Sequence, residues 1–319
     1  MKQAQFESQR TESWEAFQQL LQPKAHLPKD FGAQYRYICQ DLALAKKRGY
    51  SAALIHRLNH LAVSGRKVLY APNDYWLHHL NAFFIHDLPM AIGQKRGLII
   101  WAHLIFYGSA ILIGLLTYWT PDFIYSVMPI QAITSLEAMY DPDTFTMGRP
   151  AHKDVQMFAY YIYNNIGIGL WVYSAGLLFG VGTIAATLFN GIHIGAAFGH
   201  MARLGYTDTF FAFVSGHGAF ELTGICLAAA GGMALGHTVM FPGSRSRKDA
   251  LAITGRESLP LVIGVFIFLT LAAIIEAFWS PSAIPATIKF IVGISLWVLM
   301  ALYLAYCFWI GHESRSTQP

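Results

Sequence analysis

The sequence predicts an all-α integral membrane protein of about six transmembrane helices with an N-terminal cytoplasmic helical bundle. Three observations lead there. Of the 319 residues, 55% are hydrophobic and only 13% are charged, against roughly 25% charged in an ordinary soluble domain. That deficit points to lipid as the solvent. From Gly97 onward, apolar stretches recur that are long enough to cross roughly 30 Å of hydrocarbon at about 1.5 Å per helical residue. The charge is also asymmetric: residues 1–96 hold 13 of the 22 Lys and Arg but only 7 of the 18 Asp and Glu. Positive charge beside a bilayer marks the cytoplasmic side. Because the basic excess is spread over several segments next to a membrane, nucleic-acid binding is not expected.

The N-terminal region, residues 1–96, reads as amphipathic helices. Trp14, Phe17 and Leu21 form one apolar stripe, Tyr35, Ile38, Leu42 and Ala45 a second, and Leu54, Leu58 and Leu61 a third. Pro23, Pro28, Gly49 and Pro72 separate them. A fourth candidate carries Trp76, Leu80, Phe83, Phe84 and Leu88, with His78, His79, His86 and Asp87 on its other sides. The three cysteines, Cys39, Cys226 and Cys307, are scattered and show neither a disulfide framework nor zinc-ligand spacing.

The membrane domain, residues 97–311, begins with a span at 97–119 that follows Lys95 and Arg96, so its N-terminal end is expected inside. Residues 120–156 carry Asp122, Glu137, Asp141, Asp143 and Asp154 against Arg149 and Lys153 and are expected outside. The apolar region that follows suits three spans, near 157–178, 181–201 and 209–240. The basic stretch SRSRKDALAITGRES returns the chain to the inside. Spans near 259–279 and 288–310 and a tail at 312–319 leave both termini cytoplasmic, in a bacterial cytoplasmic (inner) membrane. Arg203 runs against this arrangement, and re-entrant third and fourth spans would reduce it to four full crossings.

Gly191, Gly195 and Gly199 recur every fourth residue, as do Gly232 and Gly236. Such stripes let helix backbones approach closely within one chain, or between copies in a homo-oligomer. Ionisable side chains at membrane depth cost several kcal/mol unless paired or wetted, so each needs a reason. Three stand out, His217 and Glu221 at helical i,i+4 spacing and Glu276 in the fifth span. Asn164, Asn165, Asn190 and His193 fall in neighbouring spans, beneath the acidic segment that carries Glu137 and Asp141. Together these residues predict a polar pocket in the outer leaflet, suited to a cation, a polar lipid headgroup or a cell-wall precursor. One histidine and two carboxylates are also ligand types that zinc and manganese accept, so a divalent metal and a bound lipid are both candidate cofactors. No HExxH and no recognisable nucleophile motif accompanies them.

At these same residues the sequence resembles the stage II sporulation protein M family of bacterial membrane proteins. The matching stretches are YIYNNIGIG at Tyr161–Gly169, GLLFGVGT at Gly176–Thr183, FNGIHIGAAFGH at Phe189–His200, GHGAFEL at Gly216–Leu222 and IEAFWSP at Ile275–Pro281. EAMYDP at Glu137–Pro142 is similar to the external segment of members from non-sporulating bacteria. The resemblance implies a cytoplasmic-membrane protein without established enzymatic activity. Its namesake in spore formers resembles a scaffold for peptidoglycan-degrading proteins, and relatives are encoded with a MoxR-type ATPase. Envelope proteins of those kinds are therefore the expected partners. Three functions remain open: a non-enzymatic scaffold of envelope machinery, a transporter or channel using the same polar groups, and a metal-dependent membrane hydrolase.

Overall fold

The computed structural model describes residues 2–22, 28, 30–69, 75–144, 148 and 151–316. Pro23, Pro72 and Arg149 lie outside the described residues, as do the side chains of Trp76 and His78 and residues 317–319 of the tail. All regular structure among the described residues is helical. The chain divides into two units, Met1–Leu80 and Asn81–Pro319.

The first unit contains α1 (Gln3–Leu20), α2 (Phe31–Lys47) and α3 (Ala52–Leu69). Each expected stripe supplies core residues: Trp14 and Phe17 from α1, Ile38 and Ala45 from α2, and Leu54, Leu58 and Leu61 from α3 are buried, together with Phe6 and Phe31. The Trp14 indole N–H donates to Asp41 Oδ2 at 2.8 Å, so the one buried carboxylate of this core has a donor. Arg57 lies 5.7 Å above the Trp14 ring, a cation–π contact.

The second unit begins earlier than the expected boundary at residue 96. After α4 (Tyr75–Ala82) and a π-helical turn at Phe83–Asp87, α5 (Leu88–Gln94) buries Leu88, Ala91 and Ile92. Leu88 and Ile92 belong to the same apolar core as the long helices that follow. Their full burial there is the reason the division falls at Leu80.

Those helices are α6 (Arg96–Trp119), α7 (Ile130–Tyr140), α8 (Ala151–Ser174), α9 (Val181–Leu204), α10 (Ala212–Met240), α11 (Arg247–Ile274) and α12 (Ala286–Ser316). Among the described residues, five helical stretches, Arg96–Trp119, Val181–Leu204, Thr207–Met240, Arg247–Trp279 and Ala286–His312, are long and apolar enough to cross a membrane. α8, in the place of the second expected span, has the same 24 residues as α6 and α9, but it opens on His152, Lys153 and Asp154 and carries Asn164 and Asn165, and it is not one of the five. Most of the basic stretch before the fifth span is helical. Ser246 caps α11, its Oγ accepting from Asp249 N at 3.1 Å, and helix starts at Arg247.

α10 occupies the centre. Of its apolar window 78% is buried, against 17% for α6 and for α12. Those outer helices expose Trp101, Leu104, Ile111 and Leu112, and Ile291, Ile294, Val298 and Leu302. Large apolar side chains exposed in such continuous rows suit contact with lipid.

Close packing is intramolecular at both glycine stripes. A Cβ on Gly191, Gly195 or Gly199 would collide with the α6 backbone at Phe106, Ala110 or Gly114 respectively. At the turn between α8 and α9, a Cβ on Gly176 would collide with the backbone of Gly232 on α10, and one on Gly236 with the backbone of Gly180. That turn requires left-handed backbone, with φ of 56° at Phe179 and 77° at Gly180. Thr183 closes it by donating to Val172 O at 2.7 Å.

Gly195→Leu is therefore expected to destabilise the membrane unit by about 1–3 kcal/mol or more, the range of core overpacking. A lowered thermal midpoint in detergent or nanodiscs is the expected readout. An unchanged midpoint would place this face of α9 against lipid.

Candidate functional site

Helical geometry decides what meets near the N-terminal end of α10, the end at which α8 begins and α11 finishes. His217 and Glu221 are one turn apart on α10, and His217 Nε2 lies 3.8 Å from Glu221 Oε2. Glu276 enters from the π-helical turn Ile275–Trp279 that ends α11. The wider π turn shifts the register of the residues after it, and such turns recur at functional sites. One ligand-capable atom from each of His217, Glu221 and Glu276 lies within 4.8 Å of the others. His217 is buried and the two glutamates are half-buried.

α8 supplies a donor relay. Asn164 Nδ2 donates to Asn165 Oδ1 at 3.1 Å, and Asn165 Nδ2 donates to Glu276 Oε2 at 3.4 Å. The first bond fixes which way the Asn165 amide points, and the second presents an N–H to the carboxylate. On the opposite side His217 Nδ1 lies 3.2 Å from Ser280 Oγ. The loop before α8 reaches this end of the bundle, because Gly148 N donates to Pro281 O at 2.7 Å.

Lys289, in the first turn of α12, is a member of this neighbourhood that the sequence reading passed over. It is 3% exposed, and its ammonium donates to Ser280 O at 2.7 Å and Ser282 O at 2.8 Å. Its own carbonyl accepts from Ser215 Oγ at 3.2 Å, two residues before His217. Near the start of a span a lysine looks like an interfacial flank, and the signal that could have identified it is its place inside the apolar run IPATIKFIV. Trp279 Nε1 is buried here without a hydrogen-bond partner among the described residues.

Five of the nine expected pocket residues thus converge: His217, Glu221, Glu276, Asn164 and Asn165. Four make other contacts. Asn190 Nδ2 donates to Ala186 O of its own helix at 2.8 Å. His193 Nδ1 lies 2.9 Å from Phe189 O, with its ring 3.9 Å from that of Phe189. Glu137 Oε1 lies 2.6 Å from Nε2 of buried His200, and Asp141 Oδ1 accepts from Asp143 N at 3.1 Å. Glu137 and Asp141 belong to a second polar group, around α7. There Thr209 donates to Tyr140 O at 2.6 Å, and the Tyr140 ring packs edge-on against Phe210 and Phe213. Desolvation, and then the carboxylates of Asp141, Glu137 and Asp143, push the Tyr206 phenol pKa above its usual value.

Apolar helices that enclose ionisable groups define a multi-pass, all-α membrane protein. The chain belongs to the stage II sporulation protein M family: the family model for Stage II sporulation protein M matches residues 103–281. That stretch contains the whole His217, Glu221, Glu276, Asn164 and Asn165 group but ends before Lys289. Residues 4–71, which form the helices of the first unit, match a domain of unknown function, DUF8413. No curated protein and no solved structure matches the chain.

Lys289→Met keeps an unbranched side chain but removes the donor that Ser280 O and Ser282 O share. Leaving a buried acceptor unsatisfied costs about 1–3 kcal/mol, so the variant is expected to melt below wild type. Equal melting would mean that water supplies both carbonyls.

Proposed function

We propose that this protein is a non-enzymatic membrane component that scaffolds bacterial envelope machinery, and that the polar cluster on α8, α10 and the π turn is where it takes up a ligand. The ligand half rests on one observation, the convergence of His217, Glu221 and Glu276 within 4.8 Å. Three ionisable groups are an expensive way to fix helix packing, since interhelical hydrogen bonds from neutral side chains give roughly 0.6–2 kcal/mol without the cost of burying charge. The scaffold half is supported by family membership and by the separate N-terminal unit, an independently cored helical body carried on a membrane protein.

The protein resides in the cytoplasmic membrane with both termini inside. Lys95 and Arg96 at the start of α6, and Arg245, Arg247 and Lys248 around the start of α11, support that orientation, as does the acidic character of the segment around α7. The bond from Gly148 to Pro281 ties that segment to the Glu276 end of the bundle. The ligand therefore approaches from the outer leaflet, and the partners bound through the scaffold are envelope proteins such as peptidoglycan-active enzymes or a MoxR-type ATPase system.

Two experiments test this reading. Cysteines introduced at exposed residue 245 and near the C-terminus should be shielded from impermeant thiol reagents in intact cells, and one at residue 143 should be labelled. Labelling in the reverse pattern would invert the protein. Glu221→Gln and Glu276→Gln keep side-chain shape, so both variants should be produced at wild-type levels yet fail to complement a deletion strain. Full complementation by both would leave the cluster as a packing device. Cation flux in proteoliposomes that disappears with Glu221→Gln would instead make the protein a transporter.

A further inference from the structure

We propose that His217, Glu221 and Glu276 hold a divalent first-row transition cation of the zinc or manganese class, which rests on the ligand reading above and names its ligand. The donor set is one imidazole and two carboxylates, a mixture that suits borderline and harder divalent ions. No cysteine belongs to the cluster, so a thiolate-seeking ion such as copper(I) has no preferred donor there.

Charge favours the same assignment. Two ionised glutamates with a neutral histidine carry two negative charges, which one divalent ion cancels. A neutral group of four is far cheaper at membrane depth than two carboxylates whose charge is uncompensated. Lys289 does not fill that role, because its ammonium is turned to the carbonyls of Ser280 and Ser282.

The surroundings orient the donors as the outer shell of a metal site does. With its proton on Nδ1, His217 donates to Ser280 Oγ and leaves the Nε2 lone pair facing Glu221. Asn165, itself held by Asn164, donates to Glu276 Oε2 and so orients that carboxylate. The separations of up to 4.8 Å are wider than the roughly 3.4 Å between donors of a tetrahedral ion with bonds of about 2.0–2.1 Å. Binding must therefore bring these side-chain donors closer together by about an ångström. Glu221 keeps 18% of its side chain exposed, which gives an ion a route in.

The test uses the full chain, purified without chelator in detergent or nanodiscs. Elemental analysis should find about one zinc or manganese ion per chain. After stripping with EDTA, titration with Zn²⁺ or Mn²⁺ should restore one ion and raise the thermal midpoint. Glu221→Gln, Glu276→Gln and His217→Gln should each abolish the uptake, and Asn165→Ala should weaken affinity about 10- to 100-fold, as loss of an outer-shell partner does. Stripped, folded wild type that takes up neither ion beyond the level of the Glu221→Gln, Glu276→Gln double variant would overturn the metal. If that result accompanies failed complementation by the single Gln variants, the ligand reading stands with a different ligand. If the ion binds while both Gln variants complement fully, the metal site stands and its use in function falls.

Discussion

Where hydrocarbon replaces water, moving a leucine from lipid to a helix interface gains little, so these helices adhere where their backbones come within van der Waals range of one another. Glycine makes that possible. α9 lies on α6 through Gly191, Gly195 and Gly199, and α10 lies on the α8–α9 turn through Gly232 and Gly236. A third approach, Gly93 against Gly311, joins α5 to α12. With α6 and α12 taking up the lipid-facing positions, α10 is left enclosed, and an enclosed helix can carry a histidine and a glutamate that a lipid-facing one could not.

The same constraint dictates the polar chemistry. Without water at membrane depth, a buried donor or acceptor is costly unless it finds a partner inside the protein. Asn164, Asn165 and Glu276 form one chain of bonds, and His217, Ser280 and Lys289 form another around the end of α11. The π turn at Ile275–Trp279 is the hinge between these chains, because it carries Glu276 and leads directly into Ser280. Around α7 a separate set, Glu137 with His200 and Thr209 with Tyr140, fastens the short helix to the neighbouring ends of α9 and α10.

Much of this was legible in the sequence, for identifiable reasons. Apolar length located the long helices, and i,i+4 spacing joined His217 to Glu221 before any coordinates. The N-terminal stripes were read correctly because Trp14, Ile38 and Leu58 obey a simple helical period. Facing direction was the weak point. Asn190 and His193 share a span with the glycine stripe, but their side chains turn back to carbonyls four residues earlier, which hydropathy does not reveal. Lys289 was passed over because its partners, the carbonyls of Ser280 and Ser282, come from the turn that follows the π-helical segment. The polar stretch before the fifth span was read for its charge alone, although Ser246 and Asp249 three residues apart carry a helix-capping signal.

Whether α8, α10 and the π turn build one site, or two neighbouring polar contacts, is decided by the coupling between His217 and Glu276, which stand on different elements. A double-mutant cycle of His217→Gln and Glu276→Gln, read as unfolding free energy in nanodiscs, measures it directly. Residues of a single site should be non-additive by about 0.5–3 kcal/mol. Additivity within about 0.5 kcal/mol would show that the two side chains act independently and would contradict a shared site.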